Sequence, residues 1–287
     1  MKFATLRVIE ARLAFRFCSM LSPVKKVTTR SASALASAGL PIAASHATSA
    51  SLATTISVRA VKALLWVAMV DSLTVCGSNG HGPVLPDALD LVKTGPLLCG
   101  GITVFSPLLL HNPPSTARVG IIGIGGLGHM ALQFANKWGC EVHAFTTSQT
   151  KEAEALKLGT HYVHNTRRHG ELKKIAASLD LIISTINVPM DIPGLLETLA
   201  PKGILHVVGA VLEPMLIRAF GLILGQKSIA GSPGGNPTAI DRMLAFCARH
   251  SIAPVTETFP MSKVNDALEH LRAGKARYRI VLVNDHS

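Results

Sequence analysis

Short apolar runs alternate with amphipathic segments along the chain from Val84 onwards. The run Val119–Ile122 has the length of one strand, and the segment after it shows apolar residues at helical spacing until Gly139, which can end a helix. The same pattern predicts strands over 141–147, 161–164, 179–186 and 203–209, and helices over 151–158 and 192–199. Strands that alternate with helices are typical of a sheet covered on both faces. We therefore predict an α/β fold with a doubly wound parallel sheet.

A glycine-rich turn follows the first of these strands. It reads Gly123-Ile124-Gly125-Gly126-Leu127-Gly128 and leads into the amphipathic helix. In such a turn the first glycine allows a tight bend, the second lets the backbone approach a pyrophosphate, and the third lets the helix pack on the strand. The helix amides then face the anion. A glycine turn can also be purely structural, but its place between a strand and a helix predicts a Rossmann-type dinucleotide site formed by these six residues.

The ends of other strands predict the rest of this crevice. Ligands of doubly wound sheets lie across the carboxyl ends of the strands. Thr185 and Val188 lie at the end of the predicted strand 179–186, and Gly209 and Ala210 lie at the end of the predicted strand 203–209. We therefore expect these residues to border the same crevice as Gly125.

The end of the second strand indicates which dinucleotide is bound. A carboxylate at this point would bond the ribose hydroxyls of NAD and repel a 2′-phosphate. This chain has no acidic residue there and instead offers the hydroxyls of Thr146, Thr147 and Ser148, followed by the ammonium of Lys151. Hydroxyls and a cation suit a phosphate, although Ser and Thr are also common helix caps. The pattern predicts NADP rather than NAD.

The first 60 residues differ in composition from the remainder. They contain eight Lys or Arg side chains and one acidic residue, Glu10, and they are rich in Ser, Ala and Thr without a sustained period. Such a segment is either a disordered extension or an organellar transit peptide. The apolar run 63–70 is too short to cross a membrane. Most of the net charge of +11 lies in these first 60 residues. Because the chain shows no basic helix interleaved with aromatic residues, we predict no nucleic-acid binding.

The five cysteines indicate a reducing compartment. They are scattered and include no CxxC pair, so the sequence predicts neither a disulfide framework nor a closed structural zinc site. A cytoplasmic location follows, with an organelle as the alternative if the N-terminal segment is a transit peptide. The cysteines are Cys18, Cys76, Cys99, Cys140 and Cys247.

Several motifs, in order, resemble those of one enzyme family. They are Pro96-Leu-Leu-Cys-Gly-Gly-Ile-Thr103-Val-Phe-Ser-Pro107, Gly123-Ile-Gly-Gly-Leu-Gly-His-Met130, Thr146-Thr-Ser-Gln-Thr-Lys151, Gly231-Ser-Pro-Gly-Gly-Asn-Pro237 and Lys275-Ala-Arg-Tyr-Arg-Ile-Val281. Together they resemble the cinnamyl alcohol dehydrogenase group of zinc-dependent, medium-chain alcohol dehydrogenases, over about residues 84–283. The resemblance implies reversible hydride transfer between NADP(H) and an alcohol or aldehyde, and a homodimer.

The resemblance also assigns roles to residues that match its motifs. Cys99 matches a ligand of the catalytic zinc, and Thr103 matches a residue beside the nicotinamide. Thr185 and Gly209 match cofactor contacts, as do the three residues Ser232, Pro233 and Gly234. His129 matches a motif position without an assigned chemical role.

The N-terminal part departs from the family. Family members carry their other zinc ligands and proton relay in a GroES-like catalytic domain, and residues 1–83 contain no matching ligand motif. Cys76 and His81 are the right types to help Cys99 hold zinc, but they fit no family motif. The chain is therefore either an alcohol dehydrogenase or a cofactor-binding remnant without activity.

These observations predict that the chain is divided into three parts. Residues 1–83 form an irregular basic segment, residues 84–260 the NADP-binding domain, and residues 261–287 a helix and strand that would return to the catalytic domain. An apolar face of this helix would then lack its usual partner; it is formed by Val264, Ala267, Leu268 and Leu271.

Three histidines are interpreted as structural: His161, His164 and His169. The basic run between residues 167 and 174 is interpreted as one solvated helix face and consists of Arg167, Arg168, Lys173 and Lys174.

Overall fold

The computed structural model describes residues 85–285, so the predictions for residues 1–83, including Cys76 and His81, lie outside the described part. Six strands form one parallel sheet in the order β3-β2-β1-β4-β5-β6. Their bounds are β1 Arg118–Ile122, β2 Glu141–Thr146, β3 Tyr162–Asn165, β4 Leu179–Ser184, β5 Leu199–Val207 and β6 Ser228–Gly231. The strand order reverses between β1 and β4, which makes the sheet doubly wound and confirms the predicted Rossmann fold.

Eight α-helices accompany the strands over residues 85–285. They are α1 Leu91–Thr94, α2 Gly100–His111, α3 Gly128–Trp138, α4 Glu152–Lys157, α5 Ile192–Thr198, α6 Ala219–Ile223, α7 Pro237–His250 and α8 Val264–Arg272. Single turns of 3₁₀ helix lie at Gly95–Leu98, Gln149–Lys151, Leu172–Ile175 and Met261–Lys263. One core packs α2, α3 and α7 on one face of the sheet, and a second packs α5 on the other face. Burying both faces explains the near-continuous apolar runs of the central strands.

Local chemistry fixes several helix ends. Gly139 ends α3 in a left-handed conformation with φ of +101°, as its position in the sequence predicts. The side chains of Asp191 and Asn236 accept hydrogen bonds from the backbone N–H of Gly194 and Ala239, which caps α5 and α7. Two strands differ from the prediction: β5 begins at Leu199, directly after α5, rather than at residue 203, and β6 lies outside the predicted strands.

The C-terminal residues form a small unit of their own. Strands β7 (Thr256–Pro260) and β8 (Arg279–Val283) pair in parallel, and α8 packs on both. Ala267 is buried, whereas Val264, Leu268 and Leu271 are half-buried. Part of the apolar face of α8 is therefore covered within this chain.

Among residues 85–285, no single helix is both long and apolar enough to cross a membrane. The consecutive segments Leu91–Leu98 and Gly100–His111 reach that length and composition only when taken together, and they are bent by 56°.

Candidate functional site

The glycine turn lies at the carboxyl end of β1 and fixes the start of α3. Gly123 has φ of +87°, a conformation that favours glycine. A Cβ on Gly128 would lie 1.8 Å from the carbonyl oxygen of Gly123, so only glycine fits there. The Thr185 hydroxyl donates to the carbonyl oxygens of Ile122 and Gly123, each at 2.9 Å. Thr185 thus holds the turn against the end of β4.

The turn leaves open space for a ligand at one position. A Cβ built on Gly125 would meet no protein atom within 4 Å. On the neighbouring strand end, a Cβ on Gly209 would lie 1.8 Å from the carbonyl oxygen of Ile186, so the chains there pack backbone to backbone. Half-exposed Val188 lies in the loop after β4. Gly125 therefore borders free space at the point where the strand order reverses, which is where a doubly wound sheet would bind a dinucleotide.

Arg279 also reaches this turn and was not predicted. Its Nε donates to the carbonyl oxygen of Gly126 at 2.8 Å. Its Nη2 lies 2.7 Å from the position that a Cβ on Gly100 would take. Burial lowers the pKa of Arg279 from its usual value and the nearby Cys99 opposes that shift, yet a guanidinium stays charged in proteins. The crevice therefore carries a fixed cation beside the turn, as an anionic group requires.

His129, at the start of α3, fastens the turn to the C-terminal part of the chain. Its Nδ1 bonds the carbonyl oxygen of Gly125 at 2.9 Å, and its Nε2 accepts from the N–H of Val255 at 3.1 Å. This pattern requires the proton on Nδ1. The ring also stacks on Tyr278. Burial lowers the pKa of His129 to about 4, against the opposing bond to Gly125, so the ring is neutral at physiological pH.

The predicted 2′-phosphate residues lie together at the end of β2, and the Lys151 side chain extends from there towards the glycine turn. Thr146 is buried and accepts a hydrogen bond from the N–H of Ser148 at 3.1 Å, whereas Thr147 is exposed. The Ser148 hydroxyl lies 2.7 Å from that of Thr150. The Lys151 ammonium donates to the carbonyl oxygen of Ile124 at 2.7 Å. Burial lowers its pKa, and the nearby Arg277 adds to that shift. Lys151 therefore supports the turn from the β1 side.

Cys99 and Thr103 lie at the start of α2, and they do not make a zinc site by themselves. The Thr103 hydroxyl donates to the carbonyl oxygen of Cys99 at 2.7 Å. Catalytic zinc takes three protein ligands and keeps one position open. Over residues 85–285, no group of three or more His, Cys, Asp or Glu side chains can hold a metal ion. The donor set of the described part therefore does not fit zinc.

Ser232 is linked to two histidines that the sequence did not indicate. Its hydroxyl lies 2.9 Å from Nε2 of His206, and Nδ1 of His206 lies 2.8 Å from Nε2 of His111. Burial, and secondarily His111, lower the pKa of the fully buried His206 to about 4. This chain of bonds joins α2, β5 and the end of β6. Pro233 and Gly234 follow Ser232 and are exposed.

Of the remaining histidines of this region, His161 and His164 make hydrogen bonds, whereas His169 is exposed. His161 accepts from the N–H of Val142, and His164 bonds buried His143 at 2.9 Å. The interpretation of the basic run as one helix face is wrong. Arg167 and Arg168 lie in the turn after β3, and only Lys173 and Lys174 lie in the 3₁₀ turn that follows. The chain bends at Gly170, whose φ of +78° no helix allows.

Comparison with known proteins identifies relatives of this domain. The sequence model of the zinc-binding dehydrogenase family matches residues 126–249. An aldehyde reductase, AdhA, of Synechocystis is 48% identical over 198 residues, which are 69% of this chain and 59% of that protein. The chain thus spans a little more than half the length of this relative.

Solved structures agree with the sequence comparison. A cinnamyl alcohol dehydrogenase of Sorghum bicolor has a TM-score of 0.65 and 37% identity, and the match covers 69% of this chain and 57% of that one. An enzyme of Helicobacter pylori described as CAD, solved in complex with NADP(H), has a TM-score of 0.60 and 33% identity, covering 67% and 55%.

Proposed function

We propose that this chain, whose nucleotide-binding domain is similar to that of zinc-dependent medium-chain alcohol dehydrogenases, is a member of that family and an NADP(H)-dependent oxidoreductase that interconverts aldehydes and alcohols. One observation carries the proposal. Among the glycines of the turn from Gly123 to Gly128, Gly125 is the one at which a built Cβ meets no protein atom within 4 Å, and it lies at the point where the strand order reverses. A dinucleotide pyrophosphate fits such a place because backbone N–H groups can contact it directly.

Each group of residues then has a part in holding the cofactor. The N–H groups of the turn and the Arg279 guanidinium bind the pyrophosphate. Thr103 and the segment Ser232–Gly234 hold the nicotinamide end, and Thr185 and Gly209 shape the crevice between them. Bound NADPH would supply the hydride that reduces an aldehyde carbonyl carbon, and the carbonyl oxygen would take up a proton.

The residues after β2 favour NADP(H). No carboxylate follows β2 that would repel a 2′-phosphate, and exposed Thr147 and half-buried Ser148 present hydroxyl groups. The relative from Helicobacter pylori was solved with the same cofactor. A preference for NADPH over NADH is therefore part of the proposal.

A cofactor-binding protein without turnover is the second candidate. The observation that favours it is the donor set, since residues 85–285 do not supply three metal ligands around Cys99. Under this alternative the chain binds NADPH but does not oxidise it.

The assembly that we propose is a homodimer through the edge of the sheet at β6. The segment that precedes β6 exposes large apolar side chains to solvent: Leu212, Leu216, Phe220, Ile223 and Leu224 are each at least 65% exposed. Exposed apolar groups clustered in one segment are typical of an interface.

Two measurements on the purified full chain test the proposal and separate its alternatives. The first is NADPH binding, followed by nicotinamide fluorescence. The second is the initial rate of NADPH oxidation with an aromatic aldehyde and added zinc, for the wild type and the variant Cys99→Ala. Turnover that the variant loses would support the enzyme and indicate that residues 1–84 or a second subunit complete a metal site. Binding without turnover would support the second candidate, and absence of binding would contradict both.

A further inference from the structure

Two arginines follow β3 directly beside the candidate 2′-phosphate residues. The N–H of Thr166 donates to the carbonyl oxygen of Thr146 at 3.0 Å, so the chain after β3 still pairs with the end of β2. Thr147 and Ser148 are the two residues that follow Thr146 in the chain. The next two residues along the chain are Arg167 and Arg168. Their backbone therefore lies at the edge of the sheet where the hydroxyl groups of Thr147 and Ser148 are presented.

A short turn holds the two arginines in place. The N–H of Arg167 donates to Oδ1 of Asn165, and the N–H of Arg168 donates to the carbonyl oxygen of Asn165, each at 3.0 Å. Both arginines are exposed, and within residues 85–285 neither guanidinium forms an ion pair. The acidic residue that ends this loop, Glu171, is already paired with Lys174 at 2.9 Å. The positive charge of the turn is thus not neutralised locally.

Lys151, the cation expected for a 2′-phosphate, lies on the other flank of these hydroxyl groups. Its ammonium donates to Ile124, in the glycine turn after β1. Strand β2 lies between β1 and β3 in the sheet. A phosphate seated at Thr147 and Ser148 therefore has Lys151 on its β1 side, and on its β3 side the available cations are Arg167 and Arg168.

We propose that Arg167 and Arg168 form the β3 wall of the 2′-phosphate subsite and determine the preference for NADP(H). This inference rests on the proposed function and adds residues that it does not assign. A guanidinium presents a planar set of donors that matches a phosphate, and its long side chain spans the short distance between neighbouring strand ends. The two residues are specificity determinants and take no part in hydride transfer.

Binding of two nucleotide fragments by the full chain tests this inference. The fragments are 2′,5′-ADP and 5′-AMP, which differ only in the 2′-phosphate, and calorimetry gives each Kd. The variant is Arg167→Ala with Arg168→Ala. We expect its Kd for 2′,5′-ADP to rise by about tenfold or more, as loss of charge-assisted bonds to phosphate implies, and its Kd for 5′-AMP to stay unchanged.

Two further variants make the result specific. Lys157→Ala with Lys173→Ala removes the same charge from two exposed lysines that form no ion pair within residues 85–285, and it should bind both fragments as the wild type does. Arg167→Lys with Arg168→Lys keeps the charge and should retain part of the preference. Melting temperatures establish that all variants are folded.

The outcomes separate this inference from the proposed function. A wild type that prefers 2′,5′-ADP together with an arginine variant that does not supports the inference. The inference is overturned, and the proposed function left intact, if Arg167→Ala with Arg168→Ala keeps the full preference for 2′,5′-ADP. The same holds if the control Lys157→Ala with Lys173→Ala loses that preference equally. A wild type that binds neither the fragments nor NADPH overturns both.

Discussion

Two glycines of the same turn are needed for different reasons. Gly128 is needed for folding, because any side chain there would collide with the carbonyl oxygen of Gly123. Gly125 is not needed for folding, because its outer side faces open space. A ligand that approaches the backbone closely explains why the second position is nevertheless glycine.

Substitution of each glycine by alanine separates these reasons. Gly128→Ala should lower the free energy of unfolding by about 3 kcal/mol or more, as severe backbone clashes do. Gly125→Ala should leave the free energy of unfolding unchanged but weaken NADPH binding by about tenfold or more, because the methyl group occupies cofactor space. Urea denaturation and nicotinamide fluorescence measure the two quantities. Equal stability losses in both variants would contradict this distinction.

Two buried histidines should make the protein sensitive to acid. The pKa of His129 and of His206 is lowered from 6.5 to about 4, chiefly by burial. Both rings are neutral in the native state, so as the pH falls below about 6.5 the unfolded chain binds protons that the native state does not. The free energy of unfolding should therefore fall between pH 6.5 and pH 4, by at most about 3 kcal/mol per histidine.

The variant His206→Gln provides the control for this pH dependence. Glutamine can still bond Ser232 and His111 but does not titrate. Its free energy of unfolding, measured by urea denaturation at several pH values, should depend less steeply on pH than that of the wild type. An unchanged slope would show that His206 does not contribute.

At the scale of elements, β8 supplies the cation that completes the glycine turn. Arg279 lies 153 residues after Gly126, and β8 is held by its pairing with β7. His129 adds a second link, since its ring bonds the backbone just before β7. The C-terminal unit is therefore attached to the glycine turn at two points.

Replacing Arg279 tests this role of β8. Arg279→Met should weaken NADPH binding by about tenfold or more and reduce the salt dependence of Kd, because a cation near the pyrophosphate is lost. Arg279→Lys should retain part of the affinity because it keeps the charge. Fluorescence titration at two salt concentrations measures both effects, and NADPH binding by Arg279→Met at wild-type strength would contradict the assignment.

At the scale of the whole molecule, the proposed homodimer depends on the exposed apolar segment before β6. The side chains of Leu216 and Phe220 are 83% and 70% exposed. Leu216→Asp with Phe220→Asp should convert the proposed homodimer to a monomer, because burying a carboxylate in an apolar interface is unfavourable. Light scattering after gel filtration measures the mass.

Leu91→Asp is the matched control for the dimer. Leu91 is 72% exposed and lies in α1, outside the segment before β6. Its substitution should leave the mass unchanged. A wild type that is already monomeric would contradict the proposed assembly.

The amino-acid sequence by itself determined the alternation of strands and helices from β1 to β5, the α/β class of the fold and the glycine turn, whereas β6, α2 and α7 were not among the predicted elements. These features depend on short-range patterns, such as apolar spacing and the conformational freedom of glycine, which are visible in a window of a few residues. Tertiary structure alone decided which distant side chains complete the site. Arg279 reaches Gly126 and His129 reaches Val255 across 153 and 126 residues, and Lys151 turns towards Ile124. Local patterns carry no information about such contacts, because packing of the whole domain brings these residues together.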